Sequence, residues 1–208
     1  MEKQKLAAVV TGDIVASSLL GNTERIKMLA TLQGVIDEGN TIFPDWNAEI
    51  FQGDSFQGST LLGVKDSLRY AISCVARFKE QEIGIRIAIG IGEISFAAQS
   101  VRTSDGTAFL YSGRTLEELK KKNESFIGIK TGVEDLDAEF EAHSASLDFL
   151  LARCTPHQAG ALVLAMDGLT QVQIAERLDI SQPTVQQRLK AAGWPVFKAI
   201  LRRFASKY

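Results

Sequence analysis

The 208-residue sequence predicts an α+β sandwich of the ferredoxin-like type followed by a small all-α domain. Three observations carry this expectation. In the first 132 residues, strand-like apolar runs alternate with stretches of helical period, in the order strand, helix, hairpin, helix, strand, helix, strand. Beyond residue 150 the strand signals stop and three capped helix starts follow. The charge balance also turns over: residues 1–142 carry 15 Lys and Arg against 21 Asp and Glu, whereas residues 143–208 carry 8 against 4. The expected organisation is a body over 1–132, a connecting segment over 133–150 and an all-α domain over 151–208.

Each element has its own signature. "LAAVVTGDIV" is a continuous apolar run, as expected for a buried central strand. From Asn22, the spacing of Ile26, Leu29, Leu32, Val35 and Ile36 is helical, and Gly39-Asn40 is expected to end it. "AEIFQGDSFQGSTLLG" reads as two strands joined near Gly53-Asp54, a turn signal between β-formers. "DSLRYAISCVARFKE" is a strongly amphipathic helix, and "IGIRIAIGIGEISF" returns to strand, with Gly90 and Gly92 permitting close packing or a bulge. A helix is expected over Gly113–Lys122, with Lys120, Lys121 and Lys122 complementing its dipole, and "SFIGIKTG" supplies a last short strand. The charged stretch 134–148 marks the joint between halves and can continue as helix.

The bulk numbers narrow the class. Hydrophobic residues make up 45% and charged residues 23%, the profile of a soluble globular protein. No apolar run approaches the roughly 20 residues that span a bilayer, and Asp13 interrupts the N-terminal apolar patch. A cytoplasmic location is therefore expected, with Cys74 and Cys154 as buried reduced thiols. His143 and His157 stand isolated from any catalytic partner, and Trp46 and Trp194 read as packing residues.

The tail carries the most specific pattern. Thr155 with Gln158 and Thr170 with Gln173 form two capping boxes, Pro156 suits a first helical position, and Ser181 caps "QPTVQQRLKAA". Between the last two helices lies only "LDIS", a tight corner in which Asp179 takes the place where a left-handed residue is needed. Ile174, Ala175, Leu178, Ile180, Val185 and Leu189 should form a shared core. Gln171, Ser181, Gln182, Thr184, Gln186, Gln187, Arg188 and Lys190 are then the candidates for contact with double-stranded DNA, because amides, hydroxyls and cations read base edges and hold phosphates. The 36 residues from Cys154 to Leu189 resemble the helix-turn-helix of sigma-factor region 4 and of LuxR-type regulators. The overturned charge of the tail agrees with this reading.

In the body, Asp13 closes the first strand and Asp54 sits at the hairpin tip. Neighbouring strands would bring the two carboxylates together at a sheet end, where paired acids can hold Mg²⁺; alternatively, each bonds its own turn. "TGDIVAS", "FQGDSFQG" and "RIAIGIGEI" resemble the palm of class III nucleotide cyclases. A fuller match, adding "DGTAFLYSGR" and the tail, is to the SatD family. The resemblance implies a nucleotide-cyclase-like sandwich with Asp13 and Asp54 as metal positions. It also implies Gly12, Ile14, Gly53, Ser55 and Arg114 as ligand-binding positions. Two departures stand out: Leu110 replaces the family's Asn, and Ile50 or its neighbours stand where its base-selecting Lys would be. Together these readings describe a homodimeric transcriptional regulator and not an enzyme, whose degenerate cyclase-like body senses a nucleotide-type ligand, dimerises, or does both. The alternative is an active metal-dependent cyclase, or another phosphoryl-transfer enzyme, with a regulatory tail.

Overall fold

A computed structural model describes residues 6–51, 53–122 and 125–208. Strand β1 (Ala7–Ile14) leads to helix α1 (Asn22–Ile42), the hairpin β2 (Asn47–Phe51) and β3 (Ser55–Thr60), and helix α2 (Ser67–Glu80). Strand β4 (Ile85–Gly92), helix α3 (Thr107–Lys120) and strand β5 (Ile127–Lys130) complete the body. Five helices come after it: α4 (Glu134–Arg153), α5 (Pro156–Met166), α6 (Gln171–Leu178), α7 (Gln182–Ala191) and α8 (Trp194–Ala205). The fold is an α+β sandwich followed by an all-helical region, in the expected element order.

The sheet runs β2-β3-β1-β4-β5. Its first three pairings are antiparallel, which is the ferredoxin-like arrangement, and β5 adds to β4 in parallel. Side chains alternate across it. Ala8, Val10 and Ile14 of β1 and Ile87, Ile89 and Ile91 of β4 enter the core shared with α1 and α2. Ala88 points the other way, to Leu116 and Leu119 of α3. At Gly90, an added Cβ would collide with the Ala108 carbonyl and the Ser112 amide, so its missing side chain lets the α3 backbone lie directly on β4.

Two helix boundaries differ from expectation. Helix α1 runs past Gly39-Asn40 to Ile42 because Gly39 is used for packing: its face lies against the Trp46 indole, and its carbonyl accepts from Phe43 N–H. Helix α3 begins six residues before Gly113, at Thr107, and ends at Lys120. Its apolar positions Ala108, Leu116 and Leu119 face the sheet, which outweighs the helix-weakening Gly113.

Residues 133–150, expected as the joint, lie almost wholly within α4, which runs beside β5. Ile87 N–H donates to the Phe126 carbonyl, so by the alternation of a parallel ladder Ile127, Ile129 and Thr131 turn their amides outward. Asp148 accepts from Phe126 N–H and Ile127 N–H, and Asp137 accepts from Thr131 N–H. The acids of α4 thus cap both ends of this sheet edge.

One core joins the body to the helical region. Leu32 of α1 and Ile72 of α2 share it with Phe140 and Leu147 of α4, Leu162 of α5, and Phe197 and Phe204 of α8. A second cluster holds Ala161, Ile174, Ala175, Val185 and Leu189, with Leu178 and Ile180 packed against it. Helix α5 is apolar on nearly every side because it stands between the two.

Candidate functional sites in the tail and at the sheet end

The tail builds α7 from local chemistry. Thr155 Oγ1 accepts from Gln158 N–H while Gln158 Oε1 accepts from Thr155 N–H, and Thr170 and Gln173 repeat the exchange. Ser181 caps α7 by accepting from Thr184 N–H. The corner between α6 and α7 is made by Asp179, which sits at φ 52, ψ 50, and by Ile180, whose N–H reaches back to the Ala175 carbonyl. That bond is the closure a left-handed helix end requires. Val185 and Leu189 then point into the second cluster, which aims the rest of α7 outward.

Seven of the eight residues expected to touch DNA lie on α7 or at its cap, and Gln171 opens α6. Ser181, Gln182, Gln186, Gln187 and Lys190 are exposed, and Gln171, Thr184 and Arg188 are half-buried. Gln182, Gln186 and Lys190 succeed each other at four-residue intervals, one stripe of the helix. Ser181 and Thr184 are bonded to each other through their hydroxyls at 2.8 Å, so these two serve the cap first. Among the described residues, no side-chain hydrogen bond or ion pair engages Gln182, Gln186, Gln187, Arg188 or Lys190. Their polar groups are free for a partner.

At the other site, the register sets Asp13 opposite Ser55 on β3 and Arg86 on β4. Asp54 closes the adjacent turn, donating its N–H to the Phe51 carbonyl and accepting from Ile14 N–H. Gly53, at φ 81, supplies the left-handed residue that such a turn needs. The two aspartates do share one sheet end, but each already has a partner. Asp54 Oδ2 accepts from Ser17 Oγ at 2.6 Å. Ser17 is delivered there by Ala16, which holds a left-handed conformation. Asp13 Oδ1 lies 3.4 Å from the Lys120 ammonium, which also reaches Glu117 at 3.2 Å.

Electrostatics at Asp13 are mixed. Burial raises its carboxyl above the usual range and Asp54 adds to the rise, while Lys120 and Arg86 pull the other way. The remaining expected positions are spread over different surroundings. Gly12 lies under Phe56 and Ile87, where a Cβ would collide with both side chains, so it is a packing position. The Ile14 side chain is part of the core. Ser55 Oγ donates to the Phe51 carbonyl inside the hairpin. Arg114 is exposed on α3 in a shallow groove with Phe109, Leu110 and Gly113.

The Mg²⁺ implied by the resemblance needs open carboxylate oxygens. Here an ammonium occupies one Asp13 oxygen and Arg86 faces it from β4. Among the described residues, no group of three or more His, Cys, Asp or Glu gathers as a metal site. As arranged, Lys120 and Ser17 each engage one oxygen of the aspartate pair, so a divalent ion would have to compete with both. Sequence reasoning missed Lys120, because a cation at a helix end already has a sufficient local explanation.

A family model of winged helix-turn-helix DNA-binding proteins matches residues 164–192. The chain carries a helix-turn-helix DNA-binding motif. The matched segment runs from the end of α5 through α7, and helix α8 comes directly after it. No curated protein sequence matches the chain. Among solved structures, the chain is similar to a bacterial light-regulated adenylyl cyclase at 15% identity and a TM-score of 0.43, over 61% of this chain and 76% of that one. It is also similar to the dimeric guanylyl cyclase domain of the RhoGC fusion protein from the aquatic fungus Blastocladiella emersonii, at 15% identity and a TM-score of 0.44, over 54% and 73%. A third is the GGEEF domain of a diguanylate cyclase from Vibrio cholerae, at 15% and 0.43, over 60% and 83%. Among the described residues, no helix is long and apolar enough to cross a membrane.

Proposed function

We propose that the chain is a DNA-binding transcriptional regulator in which α7 reads the major groove and the body sets whether it does so. The observation that carries the reading is the unengaged stripe of Gln182, Gln186 and Lys190, held outward by Val185 and Leu189 within the matched motif. Amide side chains suit adenine edges and Lys suits guanine or phosphate. A single short helix gives little specific contact area, so two copies reading two half-sites are the expected DNA-bound form.

The body is coupled to the reading head by packing. Arg77 of α2 bonds Glu38 of α1 at 2.6 Å and reaches Asp167, just past the end of α5, at 3.4 Å. Arg69 donates to the Met166 carbonyl beside it. A ligand that favours one arrangement of α1 and α2 would therefore bias the placement of α6 and α7. The resemblance of "TGDIVAS" and "FQGDSFQG" to cyclase motifs, which include Asp13, Gly53, Asp54 and Ser55, is what points to a nucleotide-type ligand at the hairpin end.

Selection from a random duplex library, followed by anisotropy titration of the recovered site, tests the DNA half. Gln186→Ala should cost about 1–3 kcal/mol at the selected site and relax preference at one base position. Lys190→Ala should weaken binding to all duplexes alike and reduce the salt slope by about 1. Recovery of no preferred sequence would remove this reading. For the ligand half, a nucleotide at about 100 times its Kd should add roughly 2.7 kcal/mol to thermal stability. Recovery of that nucleotide in cyclised or cleaved form would instead establish an enzyme.

A further inference from the structure

We propose that Lys120 is the built-in counter-ion of Asp13, supplying in cis the positive charge that this carboxylate would otherwise take from a divalent cation. The inference rests on reading Asp13 and Asp54 as the metal positions implied by the cyclase resemblance. Lys120 is the last residue of α3, and α3 is anchored close to the sheet. Thr11 and Ser112 join their hydroxyls at 2.9 Å, Gln57 donates to Thr11, and Gly90 lets the helix backbone lie against β4. The ammonium therefore arrives at Asp13 on a fixed support.

It is also held from both sides, 3.4 Å from Asp13 Oδ1 and 3.2 Å from Glu117 Oε1. A Mg²⁺ or Mn²⁺ ion would have to bind within about 2.1 Å of the same carboxylate, with the ammonium and the Arg86 guanidinium as like-charged neighbours. At Asp54 the ion would meet one oxygen, Oδ2, that is already accepting from Ser17. The site thus keeps its acids and neutralises Asp13 internally.

Mn²⁺ binding to the full chain, followed by electron paramagnetic resonance of the free ion, tests this. Lys120→Met should bind Mn²⁺ at least tenfold more tightly than the wild type, and the gain should vanish in the Lys120→Met/Asp13→Asn double variant. Lys120→Arg, which keeps a cation, should stay near wild-type affinity. Lys120→Gln provides a second neutral variant with the same expectation, and melting curves confirm that each is folded. Equal affinity of wild type and both neutral variants overturns the counter-ion. If that shared affinity is tight and lost in Asp13→Asn, the carboxylates remain a metal pair. If none binds, the metal reading of Asp13 and Asp54 falls too.

Discussion

Ala16 and Asp179 hold the left-handed backbone, at φ 54 and φ 52, for different ends. Ala16 turns the chain after β1 so that Ser17 meets Asp54, and Asp179 turns the corner between the helices of the DNA-binding motif. A side chain in this conformation costs roughly 1–2 kcal/mol, less for Asp, whose short polar group bonds locally. Ala16→Gly should therefore raise the unfolding free energy by about 1 kcal/mol, and Asp179→Val should lower it by about 1–2 kcal/mol, both measurable by urea denaturation. Asp179 was legible in the sequence, because a four-residue corner leaves one position for a left-handed residue. Lys120 was not, because its meeting with Asp13, 107 positions earlier, is created only when α3 docks across β1. Gly12 and Ile14, which the resemblance places at a ligand, turn their side-chain positions toward the core by alternation along β1, which leaves only their backbone atoms for such a contact.

Among the elements, α7 and its caps came directly from local sequence, whereas α3 and α4 took their extent from packing. Thr107–Ser112 lacks a strong helical period, yet it lies on a sheet surface cleared by Gly90, and tertiary contact decides its conformation. Helix α4 looked like a charged joint because its acids, Asp137 and Asp148, are committed to backbone amides of β5 and its neighbours. Helix α8 is fastened to α4 by Arg203, which bonds Glu139 at 2.6 and 3.0 Å, with Lys207 at 3.4 Å. Arg203 first, then Lys207, pull the Glu139 carboxyl down to about 2 from the usual 4.5. A depressed carboxyl stabilises the fold above its ordinary value, and that contribution disappears as pH falls from 4.5 toward 2. The wild type should thus lose melting temperature more steeply across that interval than Glu139→Gln; parallel pH profiles would show that the pair contributes nothing. Beneath it, Phe204 is fully buried against Phe140, with ring centroids 5.2 Å apart, so Phe204→Ala should cost about 3–5 kcal/mol in chemical denaturation.

For the molecule as a whole, the element order and the ferredoxin-like sheet could be read in advance, because each strand and helix carried its own period. The union of body and tail could not, since no local pattern tells which neighbour an apolar helix such as α5 will cover. One core reaching from Leu32 to Phe204 implies one cooperative transition. Trp46, stacked on Phe43 at 4.9 Å in the body, and Trp194, at the start of α8, provide separate reporters. Trp46→Phe and Trp194→Phe variants should each show one unfolding transition, and fluorescence and far-ultraviolet dichroism should give the same midpoint within each variant. Separated midpoints would mean that the tail melts on its own. The aspartates along α4 have a consequence for how copies of this chain can associate. They occupy the amides at both ends of the β5 margin, and among the described residues β2 at the opposite margin pairs with β3 alone. A sheet with a single open margin cannot propagate: strand-to-strand joining would bring β2 against β2 about a two-fold axis and then stop, which removes the template for fibrous growth.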